Sequence, residues 1–238
     1  MGPVFFVGAG PGDPGLITVK GWSLVENADL LMYTGSLVNR DLVERSKATE
    51  KLNSHGMTHA EIISRLEMAA REGKKVVRLH SGDPSIYGAM IEQILALEDR
   101  GVPSVVVPGV SSLFAAAAAL RTQLTLKGVS ESLVITRPAG ETLAKDRIPE
   151  LSALGETLAI FLGGDRISDV MEKMRCPPET PAAVIYHASW DDEKVVKGTV
   201  ADIGKRAEEA GIQKTALIIV GKVVEPRNSG FRRSHLYP

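Results

Sequence analysis

Lys75-Val76-Val77-Arg78-Leu79-His80-Ser81-Gly82-Asp83-Pro84-Ser85-Ile86-Tyr87-Gly88 is the stretch from which the fold is read. A β-branched run halts at a Gly-Asp-Pro turn, and a helical pattern resumes at Ala89. Two readings of Ser81-Gly82-Asp83 stand side by side. It is either a capped strand-to-helix connection or a ligand loop at the carboxyl end of a strand, where open α/β sheets hold their ligands. Gly82 admits close backbone approach, and Pro84 stiffens the turn behind the acceptor Asp83.

The flanks extend the pattern. Thr58 and Glu61 form a capping box, Ile62, Ile63, Leu66, Ala69 and Ala70 an apolar stripe, and Gly73 a stop, which predicts a helix before the strand. A second helix runs from Ala89 to Asp99 and ends at Gly101. Val105-Val106-Val107 follows, a continuous apolar run that predicts a strand buried on both faces. This alternation of strand and helix predicts a mostly parallel sheet for the N-terminal half. Past Pro108-Gly109, Ser111 and Ser112 open an alanine-rich helix to Leu120, either as caps or with hydroxyls facing a ligand.

Towards the N-terminus, Val4 to Val7 reads as a strand running into Gly8-Ala9-Gly10-Pro11-Gly12-Asp13-Pro14-Gly15. Gly10, Gly12 and Gly15 match the spacing of a dinucleotide fingerprint. Pro11 and Pro14, however, remove amide donors that a pyrophosphate cradle needs. The next strand, Leu30 to Tyr33, ends in Thr34-Gly35-Ser36 without an acidic residue for a ribose hydroxyl. In the C-terminal half, strands are expected at Leu133 to Thr136, Thr157 to Leu162, Ala183 to Tyr186 and Ala216 to Val220, with an exposed or edge strand at Glu193 to Lys197. Asp165 and Thr199 are read as helix caps, and residues 140–149 as a loop. Each half has its own strands and helices, so a boundary within 108–120 divides the chain into two α/β domains, 1–112 and 113–238.

Composition excludes several classes. With 28 basic and 29 acidic residues the net charge is -1, which offers no electrostatic footprint for nucleic acid or an anionic membrane. The longest apolar run, Leu113 to Leu120, falls far short of the ~20 residues of a membrane span, and the N-terminus lacks a secretory pattern. A cytoplasmic protein is expected. Cys176 is the single cysteine and the five histidines are scattered, so neither a disulfide nor a metal site is expected.

In combination and in order, four motifs carry a family resemblance. They are Val7-Gly8-Ala9-Gly10-Pro11-Gly12-Asp13-Pro14 with Leu16-Ile17-Thr18-Val19-Lys20-Gly21, Val77 to Pro84, Val107-Pro108-Gly109-Val110-Ser111-Ser112, and Ala216-Leu217-Ile218-Ile219-Val220-Gly221. With these the chain resembles the tetrapyrrole methylases over nearly its whole length. Tyr33-Thr34-Gly35-Ser36-Leu37-Val38, Ser85-Ile86-Tyr87-Gly88, Tyr186-His187-Ala188-Ser189-Trp190 and Phe231-Arg232-Arg233-Ser234-His235-Leu236-Tyr237 are similar to the branch that methylates precorrin-4 or its cobalt form at C-11. Thr34 stands where the uroporphyrinogen-III branch typically has an acidic residue.

The resemblance implies an N-terminal mostly parallel sheet, a C-terminal mixed sheet, and S-adenosylmethionine as methyl donor in a cleft between the domains. It carries donor contacts onto Pro11, Ser81, Gly82, Asp83, Ile86, Tyr87, Ser111, Ser112, Leu162, Gly163, Ala188, Thr215 and Ala216. The glycine loop, with Gly10, Gly12 and Asp13, is implied to border the tetrapyrrole instead. The corrinoid's carboxylates need donors, for which Lys20, Arg78, Arg121, Arg137 and the tail arginines are candidates. No general base is assigned, and a homodimer is a further implication of the family. Other readings stay open: a methylase of a different precorrin or of uroporphyrinogen III, a nucleotide-dependent oxidoreductase using the glycine loop, and a non-catalytic corrinoid-binding protein.

Overall fold

The computed structural model describes residues 1–233, which fall into two compact units divided between Ser112 and Leu113. The tail motif from Ser234 to Tyr237 lies outside the described residues. In the first unit, strands β1 (Val4–Gly8), β2 (Leu30–Tyr33), β3 (Glu50–Asn53), β4 (Val76–His80) and β5 (Ser104–Val107) alternate with helices α1 (Val19–Glu26), α2 (Arg40–Arg45), α3 (His59–Arg71) and α4 (Met90–Glu98). The strands form one sheet in the order β3-β2-β4-β1-β5, and every pair is parallel. All strand carboxyl ends therefore emerge along one edge.

Helices cover both faces. Phe6, Leu30, Met32 and Val76 pack with Ile63, Leu66 and Ala69 of α3 and Leu97 of α4. Val7, Leu31, Val77 and Leu79 pack on the other side with Val25 of α1 and Leu42 and Val43 of α2. Each fully buried aliphatic side chain contributes about 1.5–3 kcal/mol. The predicted capping box is present: Thr58 accepts from the Glu61 amide and Glu61 accepts from the Thr58 amide.

One expectation is not met, and one strand had no expectation. The run Val105-Val106-Val107 is not buried on both faces, because β5 is an edge strand and Val106 is 43% exposed. An apolar run reports burial but not position in the sheet, and an edge strand has a neighbour on one side only. Strand β3 went unpredicted because Glu50-Lys51-Leu52-Asn53 has a single apolar residue, as suits the opposite edge.

The second unit holds α5 (Ser112–Leu120), β6 (Leu133–Thr136), α6 (Ile148–Ser152), β7 (Thr157–Ile160), α7 (Ile167–Glu172), β8 (Pro181–Tyr186), β9 (Lys194–Thr199), α8 (Ile203–Glu209) and β10 (Ala216–Val220). Its sheet runs β6-β7-β10-β8-β9, parallel at β6–β7 and antiparallel elsewhere. The mixed sheet expected for this half is present. Ala159, Ala183, Ile185, Leu217 and Ile219 face the alanines of α5, while Leu158, Ile160, Val184, Ile218 and Val220 face α7 and α8.

The two expected caps act otherwise. Asp165 turns its carboxylate to the Arg166 guanidinium, and α7 has no side-chain cap. Thr199 ends β9, and its amide and hydroxyl donate to Asp202, the residue before α8. Residues 140–149, read as a loop, run into α6 at the fully buried Ile148. Among the described residues no helix is long and apolar enough to cross a membrane.

Candidate functional site

At the carboxyl edge of the first sheet three loops press together. The Gly10 and Gly82 amides donate to each other's carbonyls at 3.2 and 2.8 Å, extending the ladder past the ends of β1 and β4. Gly109, after β5, packs so tightly that a Cβ there would lie 2.3 Å from the Gly82 carbonyl oxygen. Only a glycine fits such a contact. Asp83 fastens the arrangement: one carboxylate oxygen accepts from the Gly109 amide at 2.8 Å, the other from the Ser85 amide at 2.8 Å and the Ser85 hydroxyl. Burial opposes its ionisation, but the hydrogen bonds from Ser85 and Gly109 prevail and hold its pKa below the usual carboxylate range.

These loops therefore join Gly10, Ser81, Gly82, Asp83 and the buried Ser111 on one edge. A Cβ on Gly82 would meet Ser111 and Ser112 at 3.8 Å, ordinary contact. Gly12 is drawn in by Asn39, whose side-chain amide donates to its carbonyl at 2.9 Å. Behind the loops His80 is 4% exposed and stacks on Phe6, and its Nε2 atom has no hydrogen-bond partner. Burial, then the nearby Arg78 charge, push its pKa down to about 3, so the ring is neutral.

The second unit repeats this economy at one end of its sheet. Because β10 is antiparallel to β7 and β8, its amino end meets their carboxyl ends. Gly164, after β7, would bring a Cβ within 3.0 Å of the Ala216 nitrogen. The His187 amide, after β8, donates to the Thr215 carbonyl at 3.4 Å. Leu162, Gly163, Ala188, Thr215 and Ala216 are thereby gathered at that end. Leu162 is 60% exposed, an apolar side chain offered outward.

Backbone strain marks the same places. Seven described non-glycine residues have left-handed φ: Tyr87, Ala89, Arg121, Leu162, His187, Ser189 and Thr215. Such conformations cost of order 1–3 kcal/mol and cluster at functional sites. Six of the seven lie in or next to the strand-end loops just described, and Arg121 follows α5.

The family model for tetrapyrrole (corrin/porphyrin) methylases matches residues 3–204. This chain belongs to the tetrapyrrole methylases. It is 51% identical over 230 residues to a cobalt-precorrin-4 C(11)-methyltransferase of Methanocaldococcus jannaschii, covering 94% of this chain and 89% of that protein. The X-ray structure of a cobalamin biosynthetic enzyme, cobalt precorrin-4 methyltransferase, superposes with a TM-score of 0.91 at 40% identity, covering 94% and 96%. The uroporphyrin-III C-methyl transferase of Thermus thermophilus, complexed with S-adenosylhomocysteine, gives 0.82 at 29% identity over 94% and 100%.

In this tetrapyrrole methylase the two basic candidates of the first unit lie on different faces of its sheet. Lys20 is exposed on α1, on one face of the first sheet, whereas Arg78 is 3% exposed on the face covered by α3 and α4. Arg137 donates to the Thr142 hydroxyl and carbonyl at 2.7 and 3.1 Å. Arg121 is exposed. Sequence reasoning missed the left-handed Ala89, His187 and Ser189. Of these only histidine has a noted tendency towards that conformation, so the sequence carried little signal. Among the described residues no three His, Cys, Asp or Glu side chains come together to hold a metal.

Proposed function

We propose that this chain transfers a methyl group from S-adenosylmethionine to C-11 of precorrin-4 or cobalt-precorrin-4 in cobalamin biosynthesis. The observation that carries the reading is the likeness, over nearly the whole chain, to a relative that bears that activity in its name. The Thermus thermophilus relative complexed with S-adenosylhomocysteine supports the donor. The strained, left-handed backbone at Tyr87, Leu162, His187 and Thr215 in the strand-end loops is in keeping with a ligand site there.

S-adenosylmethionine supplies a methyl already activated on a sulfonium, so its transfer to an electron-rich carbon is one in-line displacement in which positive charge is lost. What the protein must add is position and exclusion of water. In this reading Ser81, Gly82, Ile86, Tyr87, Ser111 and Ser112 bind from the first unit, and Leu162, Gly163, Ala188, Thr215 and Ala216 from the second. Pro11 joins them as a donor contact, and Gly10, Gly12 and Asp13 line the tetrapyrrole side. Asp83, with both oxygens occupied by Ser85 and Gly109, shapes the loop and takes no proton. A homodimer and a cytoplasmic location complete the proposal.

The test is turnover. Precorrin-4 and its cobalt form, offered side by side with S-adenosylmethionine, should each be assayed for a gain of one methyl mass. Calorimetry with S-adenosylhomocysteine and with NAD gives the complementary check. Binding of NAD alone, or no methylated product from either corrinoid, would overturn the reading.

A further inference from the structure

The loop from Ser81 to Ala89 is left-handed at Gly82, Tyr87 and Ala89. Ala89 stands immediately before α4, where no side chain caps the helix. Something else must hold so strained an end, and a buried polar chain leads directly to it. The Tyr33 carbonyl at the end of β2 accepts from the Ser54 hydroxyl at 3.1 Å. Ser54 accepts from Nη1 of Arg78 at 2.9 Å, and Nε of Arg78 donates to the Gln93 side-chain oxygen at 3.1 Å. Finally the Gln93 side-chain amide donates to the Ala89 carbonyl at 3.3 Å. Ser54, Arg78 and Gln93 are all at least nine-tenths buried.

Arg78 forms no ion pair among the described residues, and burial lowers its pKa only to about 10, so the cation persists at neutral pH. Burying a charge without a carboxylate is costly, and an apolar side chain of similar size would pack there more cheaply. A guanidinium does what an apolar group cannot. Its fork addresses Ser54 and Gln93 in one plane and so fixes the Gln93 amide towards Ala89.

We propose that Arg78 is a positioning residue: through Gln93 it locks the Tyr87–Ala89 end of the loop in the shape that receives the methyl donor. The proposal rests on the donor reading above. It gives the two ends of the loop separate fastenings, Asp83 to Gly109 at the start and Arg78–Gln93 to Ala89 at the finish. It also assigns Arg78 a role other than holding a corrinoid carboxylate.

Gln93→Glu separates positioning from simple structural need. It supplies the carboxylate that Arg78 lacks, which preserves or raises the melting temperature, but it removes the donor to the Ala89 carbonyl. The variant should bind S-adenosylhomocysteine about tenfold more weakly, the scale of one lost buried hydrogen bond. Amide exchange at residues 87–90 of the free protein should quicken by a similar factor. Gln93→Met, which leaves α4 its length, should do the same if the carboxylate variant proves insoluble. Unchanged exchange and affinity in the variant would overturn the proposal while leaving the donor reading standing. Faster exchange in a chain whose wild type binds no S-adenosylhomocysteine would confine the fault to the donor reading.

Discussion

At the scale of single residues, the charged and titratable groups around the Ser81–Asp83 loop are tied up or neutral. The carboxylate of Asp83 is occupied by Ser85 and Gly109. His80 is adjacent yet neutral, because burial and Arg78 drive its pKa to about 3. That shift has a consequence for stability. The unfolded histidine binds a proton near pH 6.5 and the folded one does not. Stability from this group is therefore complete above that pH and lost as pH falls towards 3. His80→Phe, which keeps the stack on Phe6, should flatten the dependence of urea-unfolding free energy on pH between 6 and 4 by about one proton. An unaltered slope would show that His80 is not held neutral.

At the scale of elements, the strand-end loops depend on backbone meeting backbone. Gly109→Ala would push a Cβ into the Gly82 carbonyl, where nothing flexible can yield. The expected loss is about 3 kcal/mol or more, with donor binding abolished. Gly73 offers the control. It ends α3 at a φ of 78° with open space around it, so Gly73→Ala should cost only the left-handed penalty of about 1–2 kcal/mol and leave donor affinity unchanged. Denaturant titration of both variants, with calorimetry on each, measures the contrast. Helix α3 was legible in sequence because its capping box and 3.6-residue stripe are local signals, and α4 because Gly101 stops it. The starts of α7 and α8 were misread, since Asp165 pairs with its neighbour Arg166 and Thr199 donates to Asp202 instead of capping a helix.

At the scale of the whole molecule, each unit folds around a helix-covered sheet and carries ionic fastenings of its own. In the second unit Asp146, 7% exposed, joins the Ala139 and Ile148 amides to Lys173. Burial disfavours its charge, but these partners outweigh that and lower its pKa. The stability it contributes is present above the unfolded carboxylate's pKa and fades as pH falls below it. Asp146→Ala should cost about 2–3 kcal/mol at neutral pH, measured by thermal or urea unfolding, because it strands the buried Ile148 amide and the part-buried Ala139 amide and removes the partner of Lys173. The loss should shrink in acid.

The sequence by itself determined the two α/β halves, the parallel character of the first sheet, and a family signature spread across strand-end loops. All of these follow from period, turn chemistry and motif order along the chain. Only the tertiary structure decided that β3 and β5 are edges, that Asp83 is a fastening, and that Arg78 lies buried beneath the loop it precedes. The reason is physical. Periodicity tells a side chain which face it occupies, but not which neighbours lie across the sheet. A carboxylate or guanidinium acts according to the partners it meets, and those arrive from Gly109, Ser54 and Gln93, distant in sequence. The Ser81-Gly82-Asp83 loop was visible from the start; what holds each of its ends was not.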